Sequence, residues 1–231
     1  MYRTASIRSL AIQNYHQPAN LVKELINWPK SLIHFSFSLY QNPELTLDMP
    51  TLATWLAIHK DTLKSLKLGY LPSNNIGPVL HTTDFPNLET LTLSTLQFGN
   101  QHYYHISYDD AQDLISGPRL YTIILDMSWH AQNHNPRRLG FHNERCIRYL
   151  AHAAKENKAA LRELIIIYNP MSATFLESDH NIYPWKSVER LQRETEGLGV
   201  KLRCTPPPLS RKEWEEVVVR EENALITERY L

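Results

Sequence analysis

Glycine and cysteine are scarce in this sequence of 231 residues, and each scarcity argues against a class of protein. Seven glycines form no glycine-rich loop of the kind that cradles the phosphates of a nucleotide. The two cysteines, Cys146 and Cys204, lie far apart in the chain, and reduced thiols are expected. Cys146 falls on an apolar helix face, which predicts a thiol packed in the core.

Net charge of either sign is absent as well. Lysine plus arginine and aspartate plus glutamate number 24 each, which argues against a nucleic acid or an anionic membrane as the partner. No apolar run approaches the roughly 18 residues that cross a bilayer, and the first residues lack the apolar core of a signal peptide. We therefore expect a cytoplasmic or nuclear protein that binds neither nucleic acid nor membrane.

Recognisable catalytic and metal-binding motifs are also missing. The sequence contains no G-x-S-x-G elbow, no H-E-x-x-H helix and no kinase signature, and its carboxylate pairs are simply adjacent along the chain. Two histidine clusters lie in long loops without zinc-like spacing: His102, His105, Asp109 and Asp110, and then His130, His134 and His142. We expect no metal, no cofactor and no enzymatic activity. An enzyme whose site is assembled from these loops without a motif is the alternative.

The sequence does contain one short apolar pattern that recurs. The stretch Leu63-Lys64-Ser65-Leu66-Lys67-Leu68 reads L-x-x-L-x-L. Its copies are Ile7/Leu10/Ile12, Leu32/Phe35/Phe37, Leu63/Leu66/Leu68, Leu88/Leu91/Leu93, Leu120/Ile123/Leu125 and Leu161/Leu164/Ile166, with Val200/Leu202 as a looser seventh. The first six copies start 25, 31, 25, 32 and 41 residues apart. Such irregular spacing around about 30 residues is typical of the longer leucine-rich repeats.

Each copy has the periodicity of a short strand, because its last two apolar residues are two positions apart and point to the same side. One repeat cannot bury that side alone, but stacked copies form a continuous core. The sequence therefore predicts an α/β leucine-rich-repeat solenoid over residues 1–204, ribonuclease-inhibitor-like with irregular repeats. A parallel sheet would line the concave face, and helices and loops the convex face. An α/β sheet of unrelated buried strands is the alternative.

The pattern also predicts individual elements. Strands are expected near 7–12, 33–38, 64–69, 89–94, 121–126, 163–167 and 200–204, each paired with its sequence neighbours. The residues expected to be nearly inaccessible are Leu66, Leu68, Leu91, Leu93, Ile123, Leu125, Leu164 and Ile166. Helices are expected to begin near Asn20, Pro50, Ser107, Asn143 and Pro184, the second with His59 on its inward stripe and the last capped by Gly197. The proline-rich connection over 72–86 predicts an irregular turn.

Both ends of the predicted solenoid have features of their own. Residues 205–231 contain a stiff Pro206-Pro207-Pro208 break, a capping box at Ser210 and Glu213, and an apolar stripe that includes Trp214. This tail is expected to close the core as a lid, and a free helix recognised by a partner is the alternative. No capping segment precedes the first strand, so we expect either an unprotected edge or a chain that lacks a preceding segment.

The junctions between helix and strand resemble those of a known family. The stretches His59-Lys60-Asp61-Thr62-Leu63-Lys64-Ser65-Leu66-Lys67-Leu68 and Pro86-Asn87-Leu88-Glu89-Thr90-Leu91-Thr92-Leu93 are similar to the repeats of fungal F-box proteins, and the resemblance covers most of residues 5–204. In that family the F-box docks to the adaptor of a cullin-type ubiquitin ligase, and the repeats hold a substrate. The resemblance thus implies substrate recognition for a ubiquitin ligase.

The stretch before Ile7 contains no L-P-x-E-type F-box helices. The ligase adaptor would therefore bind through an N-terminal segment that is missing from this sequence. A truncated repeat fragment without a function of its own is a further alternative.

Residues that alternate with the core row should line the concave face, and their chemistry changes along the sheet. The central column is predicted to be Ala11, Ser36, Lys67, Thr92, Ile124, Ile165 and Lys201. Small polar residues dominate the first four repeats, whereas the next two present Ile124, Ile165 and Ile167. The candidate partner-binding residues are Ile124, Asp126, Trp129, Glu163, Ile165 and Ile167.

Exposed isoleucines of this kind mark either a partner site or a surface covered within the same chain. The insertions after the fifth and sixth strands carry Trp129, Phe141, Phe175 and Tyr183 and are long enough to fold over them. Cover by these loops and a bare site both remain open at this point. In function, the sequence predicts a non-enzymatic protein-binding scaffold whose partner is a protein of unknown identity.

Overall fold

The computed structural model describes residues 3–15, 18–38, 47–69, 71, 80–94, 99–100, 103–104, 106–127, 139, 141–168, 183, 185–217 and 219–220. Its elements are β1 (Ser9–Gln13), α1 (Ala19–Asn27), β2 (His34–Ser38), α2 (Met49–Leu56), β3 (Ser65–Leu68), β4 (Thr90–Ser94), β5 (Gly99–Asn100), β6 (Tyr103–Tyr104), α3 (Tyr108–Ile115), β7 (Thr122–Asp126), α4 (Phe141–Glu156), β8 (Glu163–Ile167), α5 (Lys186–Glu196) and β9 (Lys201–Thr205). Two 3-10 turns cover Ala57–His59 and Thr82–Asp84. Residues 211–217 form a further helix of the described part of the chain, the tail helix.

Seven of these strands form one parallel sheet in the order β1-β2-β3-β4-β7-β8-β9. Each inner strand pairs with the preceding and the following strand of the sequence pattern, and equivalent positions stand side by side: Phe35 beside Leu66, and Leu66 beside Leu91. The predicted strands are confirmed, and their ends differ by no more than two residues. Strands β5 and β6 form a separate antiparallel pair. The fold is therefore α/β, with a sequential parallel sheet whose layout is compatible with a solenoid.

One face of the sheet packs against the helices and forms the core. The eight residues predicted to be nearly inaccessible expose at most 2 % of their surface: Leu66, Leu68, Leu91, Leu93, Ile123, Leu125, Leu164 and Ile166. Buried helix residues such as Val22, Leu114 and Ile147 belong to the same apolar cluster. The apolar rows of the strands and the inward stripes of the helices thus meet in one continuous core.

The predicted register of the last strand is wrong. The sequence pattern took Leu202 as the last core residue and thereby placed Lys201 beside Ile165. In the structure the core row continues to Cys204, which is 7 % exposed, so the alignment shifts by two residues. Arg203, rather than Lys201, stands beside Ile165. A buried cysteine behaves as a small apolar residue, which is why it can hold this core position.

The helix that follows β6 begins where the sequence predicted. The Oγ atom of Ser107 accepts a hydrogen bond from the Asp110 N–H at 3.0 Å, and the Asp110 carboxylate accepts one from the Ser107 N–H at 3.0 Å. This reciprocal pair is a capping box, which satisfies two N–H groups that the first helical turn leaves unpaired. The Asp110 carboxylate therefore has a structural role at this helix start.

Two other helix ends differ from the prediction. Helix α1 begins at Ala19, directly after Pro18, so Asn20 lies inside the first turn and is not the cap. The fixed φ of proline already suits a helix start, so this helix begins without a side-chain cap. After α5, Gly197 has an ordinary helical φ of −62°. The left-handed position is Gly199, with a φ of 84°, where glycine carries no steric penalty.

A 3-10 turn stands in the described part of the third connection, where the sequence predicted an irregular turn. Thr82 begins this turn and is fully buried. Its Oγ donates to the Leu114 carbonyl at 3.0 Å and accepts from the Gly117 N–H at 2.8 Å, which ties the turn to the end of α3. A groove of about 630 Å³ lies between α2 and residues 80–86.

The tail helix packs against the end of the core. Trp214 is 2 % exposed, and its ring lies edge-on to Trp185 with 5.6 Å between the ring centroids. The predicted capping box is present, because the Ser210 N–H donates to the Glu213 carboxylate at 2.7 Å and the Glu213 N–H donates to the Ser210 hydroxyl at 3.3 Å. Burial of Trp214 is what a lid requires and what a free helix lacks.

The N-terminal strand β1 is paired only with β2 within the described residues. A strand with one neighbour has fewer cross-strand hydrogen bonds to break before it opens. We therefore expect the amide hydrogens of residues 7–12 to exchange with solvent faster, in dilute solution, than those of residues 89–94 in the centre of the sheet. Residue-resolved hydrogen exchange checks this, and equal protection of the two segments would contradict a free edge.

Candidate functional site

The second face of the sheet, opposite the core, carries the alternate residues of every strand, and we call it the non-core face. Its central column is Ala11, Ser36, Lys67, Thr92, Ile124, Ile165 and Arg203. One flanking column is Ser9, His34, Ser65, Thr90, Thr122, Glu163 and Lys201. The other contains Gln13, Ser38, Ser94, Asp126, Ile167 and Thr205. The parallel register therefore turns a two-residue periodicity into rows of side chains that run across the sheet.

The chemistry of this face changes between β4 and β7. On this face, strands β1 to β4 carry small or polar side chains such as the half-buried Ser36 and the buried Thr92. Strands β7 and β8 present Ile124, Ile165 and Ile167, with Ile124 directly beside Ile165. All three isoleucines are half-buried, and we call them the isoleucine patch. The core cannot account for them, because the opposite face of the same strands already supplies its row of fully buried residues.

A pair of opposite charges borders the patch. The Arg203 Nε atom lies 2.7 Å from a carboxylate oxygen of Glu163, and the two side chains are 57 % and 23 % exposed. Arg203 stands directly beside Ile165 across the strand pair. An ion pair this exposed contributes only about 0.2–1 kcal/mol to stability. Its clearer consequence is a charged rim beside the apolar surface, to which the exposed Lys201 adds.

Asp126 borders the patch on the other side. It stands beside Ile167 in the register and is half-buried. The next residue, Met127, is buried and donates its N–H to the Ile167 carbonyl at 3.0 Å, which extends the strand pairing past the patch. The predicted site residues Ile124, Asp126, Glu163, Ile165 and Ile167 thus lie together on one face of β7 and β8. Trp129 lies outside the described residues.

Sequence reasoning missed Arg203, because the misaligned last strand placed Lys201 beside Ile165. A signal was available in the sequence. Counting the apolar Cys204 as a core residue aligns Leu202 and Cys204 with the preceding copy and leaves Arg203 on the non-core face.

Two of the aromatic residues expected to cover the patch make other contacts. Phe141 is 67 % exposed in the first turn of α4, and the Arg145 guanidinium lies 5.7 Å from the centre of its ring. Tyr183 packs on Trp185 and donates its hydroxyl to the Leu209 carbonyl at 2.7 Å, next to the tail helix. Trp129 and Phe175 lie outside the described residues. The half-burial of the isoleucines corresponds neither to a sealed core nor to a fully bare surface.

Comparison with known proteins does not assign a function to this surface. No family model, no curated protein and no solved structure matches the chain. The function is therefore inferred from the geometry of the non-core face and from the chemistry of the other described residues.

In the part of the chain that the structure describes, side chains that could carry other chemistry are dispersed. Across the described ranges, no group of three or more histidine, cysteine, aspartate or glutamate residues is placed to hold a metal ion. In the histidine clusters of the sequence, His102, His105, His130 and His134 lie outside the described residues. None of the described helices has the length and apolar character that a membrane crossing demands.

Both thiols are buried. Cys146 is 4 % exposed, and burial raises the pKa of its thiol to about 12. Cys204 is 7 % exposed, and burial raises the pKa of its thiol to about 11, although a backbone hydrogen bond with Tyr168 opposes this effect. A thiol acts as a nucleophile only as the thiolate. Both cysteines therefore serve as apolar core residues at neutral pH.

Proposed function

We propose that this chain is a leucine-rich-repeat protein without enzymatic activity, and that the isoleucine patch is the surface through which it binds another protein. The repeated L-x-x-L-x-L pattern and the sequential parallel sheet support the repeat assignment, since stacked repeats of this kind produce that topology. The single observation that carries the binding proposal is the isoleucine patch itself. These side chains stand together on a face that the core does not need.

The surroundings of the patch favour a protein as the partner. Protein interfaces commonly have an apolar centre and a polar rim. Here the centre is the isoleucine patch, and the rim is formed by Glu163, Arg203, Lys201 and Asp126. Covering apolar area contributes about 25 cal/mol per Å², whereas the charged rim orients the partner more than it adds affinity.

The resemblance of the repeats to those of fungal F-box proteins supports a more specific role. In this role the chain holds the substrate of a cullin-type ubiquitin ligase, and a segment outside this sequence contacts the adaptor. Affinity capture from cell extract with the tagged chain, followed by mass spectrometry, tests this assignment. Recovery of adaptor and cullin subunits supports the ligase role. Recovery of a single other protein supports a scaffold that works outside a ligase.

Replacing Ile165 with aspartate tests the patch. We expect capture of the partner to be lost, because the substitution places a carboxylate in the apolar centre of the proposed interface. Ile165 is only half-buried and stands beside Arg203, so the free energy of unfolding should fall by only about 1–3 kcal/mol. Quantitative capture and chemical denaturation measure the two effects separately.

Ser36→Asp is the matched control for this variant. Ser36 occupies the same central column of the non-core face, but lies in β2 at the polar end of the sheet. It receives the same charge and should leave capture unchanged. If folded Ile165→Asp protein captures the same proteins as the wild type, the isoleucine patch is not the binding surface.

A further inference from the structure

The outer edge of β1 presents backbone groups that have no partner among the described residues. On the inner side, the Asn14 N–H donates to the Ser38 carbonyl at 3.1 Å, and the His34 N–H donates to the Arg8 carbonyl at 3.0 Å. The N–H and C=O of one strand residue point to the same side, and successive residues alternate. Even-numbered residues from 8 to 14 therefore bond toward β2. The N–H and C=O groups of Ser9, Ala11 and Gln13 point to the free edge.

Apolar side chains at the same end of the sheet are incompletely covered. Ile7 and Leu10 are half-buried, although both occupy core positions of the repeat pattern. The residues equivalent to Leu10 in the next five strands of the sheet expose at most 1 %: Phe35, Leu66, Leu91, Ile123 and Leu164. Unpaired backbone groups and incompletely covered core residues thus occur together at β1. A partner that pairs these groups and covers these residues must supply a strand with apolar side chains on one face.

Nothing in β1 blocks the addition of such a strand. Proteins usually protect an edge with a charged side chain, a proline or a bulge. The strand reads Ser-Leu-Ala-Ile-Gln and contains neither a charged residue nor a proline. Its five residues pair with β2 in consecutive register, so it contains no bulge. The side chains of Ser9, Ala11 and Gln13 are exposed and uncharged.

We propose that this edge is the interface of a homodimer, in which β1 of a second copy pairs antiparallel with β1 around a two-fold axis at Ala11. In this register Ala11 stands opposite Ala11 of the second copy, and Ser9 stands opposite Gln13 of the second copy. Hydrogen-bonded pairs recur at every second residue of an antiparallel ladder. All backbone groups that point to the free edge therefore find partners, whereas a shift by one residue would match them with groups already bonded to β2.

The same register covers the apolar residues. Leu10 stands opposite Ile12 of the second copy, on the core side of the joined sheet. These are non-hydrogen-bonded pairs, in which the side chains approach most closely. Each copy thus supplies the apolar strand that the end of the other lacks, and the half-buried Leu10 becomes covered on both copies at once.

Self-complementarity favours a second copy over an unrelated strand. The two-fold register opposes no like charges, because Arg8 faces Asn14 of the second copy. A two-fold interface also closes on itself and leaves no further edge of the same kind to propagate. The isoleucine patch lies at the other end of the sheet, so dimerisation and the proposed binding function are independent.

Introducing like charges on both sides of the two-fold axis, and then mixing variants of opposite charge, tests the proposal. Ser9, Ala11 and Gln13 are replaced together by lysine in one variant and by glutamate in another, and the mass of the full chain is followed by sedimentation over a range of concentrations. We expect a wild-type dimer. Three opposed like-charge pairs should weaken the dimer of each variant by roughly 3- to 150-fold, and mixing the two variants should restore association as a heterodimer.

A matched control adds the same charge away from the edge, as Thr54→Lys, Thr83→Lys and Asn157→Lys, three exposed positions on the helix side. It should dimerise like the wild type. Hydrogen exchange adds a second measurement: at dimer-forming concentrations, the amides of residues 9, 11 and 13 should gain protection in the wild type and in the control, but not in either edge variant alone. A wild-type monomer at all concentrations, or a mixture that associates no better than either variant alone, overturns the proposal.

Discussion

Replacing Leu91 with alanine is expected to lower the free energy of unfolding by about 2–5 kcal/mol. Leu91 is fully buried in β4, the central strand of the seven-stranded sheet, between Leu66 and Ile123. The variant loses the free energy of transferring the removed methyl groups from water into the core. The residues around the resulting cavity also lose packing contacts. Because both neighbouring strands are themselves held on two sides, the surroundings can collapse only partly into the space. Equilibrium denaturation with urea measures the change.

Two controls separate packing from other effects. Leu91→Met keeps the volume nearly constant and should cost less than about 1.5 kcal/mol. Thr90→Ala changes the neighbouring residue on the non-core face, where we expect a change of roughly 0.5 kcal/mol. A loss below about 1 kcal/mol for Leu91→Ala would mean that the central strand is not packed as the structure shows.

Replacing His59 with leucine should also be strongly destabilising, although leucine is apolar and similar in size. His59 is 1 % exposed and links the end of α2 to α1 and to the segment before β2. Its Nε2 donates to the Ile26 carbonyl at 2.8 Å, and its Nδ1 accepts from the Leu32 N–H at 3.3 Å. Leucine would leave a buried acceptor and a buried donor unpaired, at about 1–3 kcal/mol each. We expect a total loss of about 2–6 kcal/mol in urea denaturation.

His59→Gln is the control, because an amide side chain can both donate and accept. We expect it to lose clearly less stability than His59→Leu. Equal losses for the two variants would show that the size of the ring, rather than its hydrogen bonds, holds this position.

The same histidine predicts a pH dependence. Burial lowers the pKa of His59 from its ordinary value of 6.5, and the charge of Arg3 lowers it further, although the hydrogen bond to the Ile26 carbonyl opposes this. The unfolded chain therefore binds the proton at higher pH than the folded chain. Neutral His59 therefore contributes to the stability of the folded chain. This contribution is complete above pH 6.5 and is lost as the pH falls from 6.5 through the lowered pKa. The His59→Gln variant should lack that part of the pH profile.

The strands were predictable because their signal is local. The spacing of apolar residues alone predicts which side chains point into the core, as in the copy Leu88, Leu91 and Leu93. All three are buried in the core. The capping box of Ser107 and Asp110 was predictable for the same reason, since both partners lie within one helical turn. The start of α1 was not, because Pro18 and Asn20 each suit a helix start and local propensity does not choose between them.

The candidate site was predictable in part. The alternation that buries Leu164 and Ile166 also places Ile165 and Ile167 on the other face, and the sequence alone identified them. Arg203 was missed because its place depends on how β9 aligns with β8. That alignment rests on hydrogen bonds such as the one from the Lys201 N–H to the Arg162 carbonyl, between segments far apart in the chain.

The sequence by itself determined the apolar rows, the order in which the strands follow one another, and the change from polar to apolar on the non-core face. These properties follow from periodicities that span only a few residues. The tertiary structure alone decided the register of β9, the ion pair of Arg203 with Glu163, and the bonds of His59 to residues 27 and 33 positions away. The physical reason is that strand alternation is a property of one segment, whereas hydrogen-bond partners depend on which distant segments come to lie side by side.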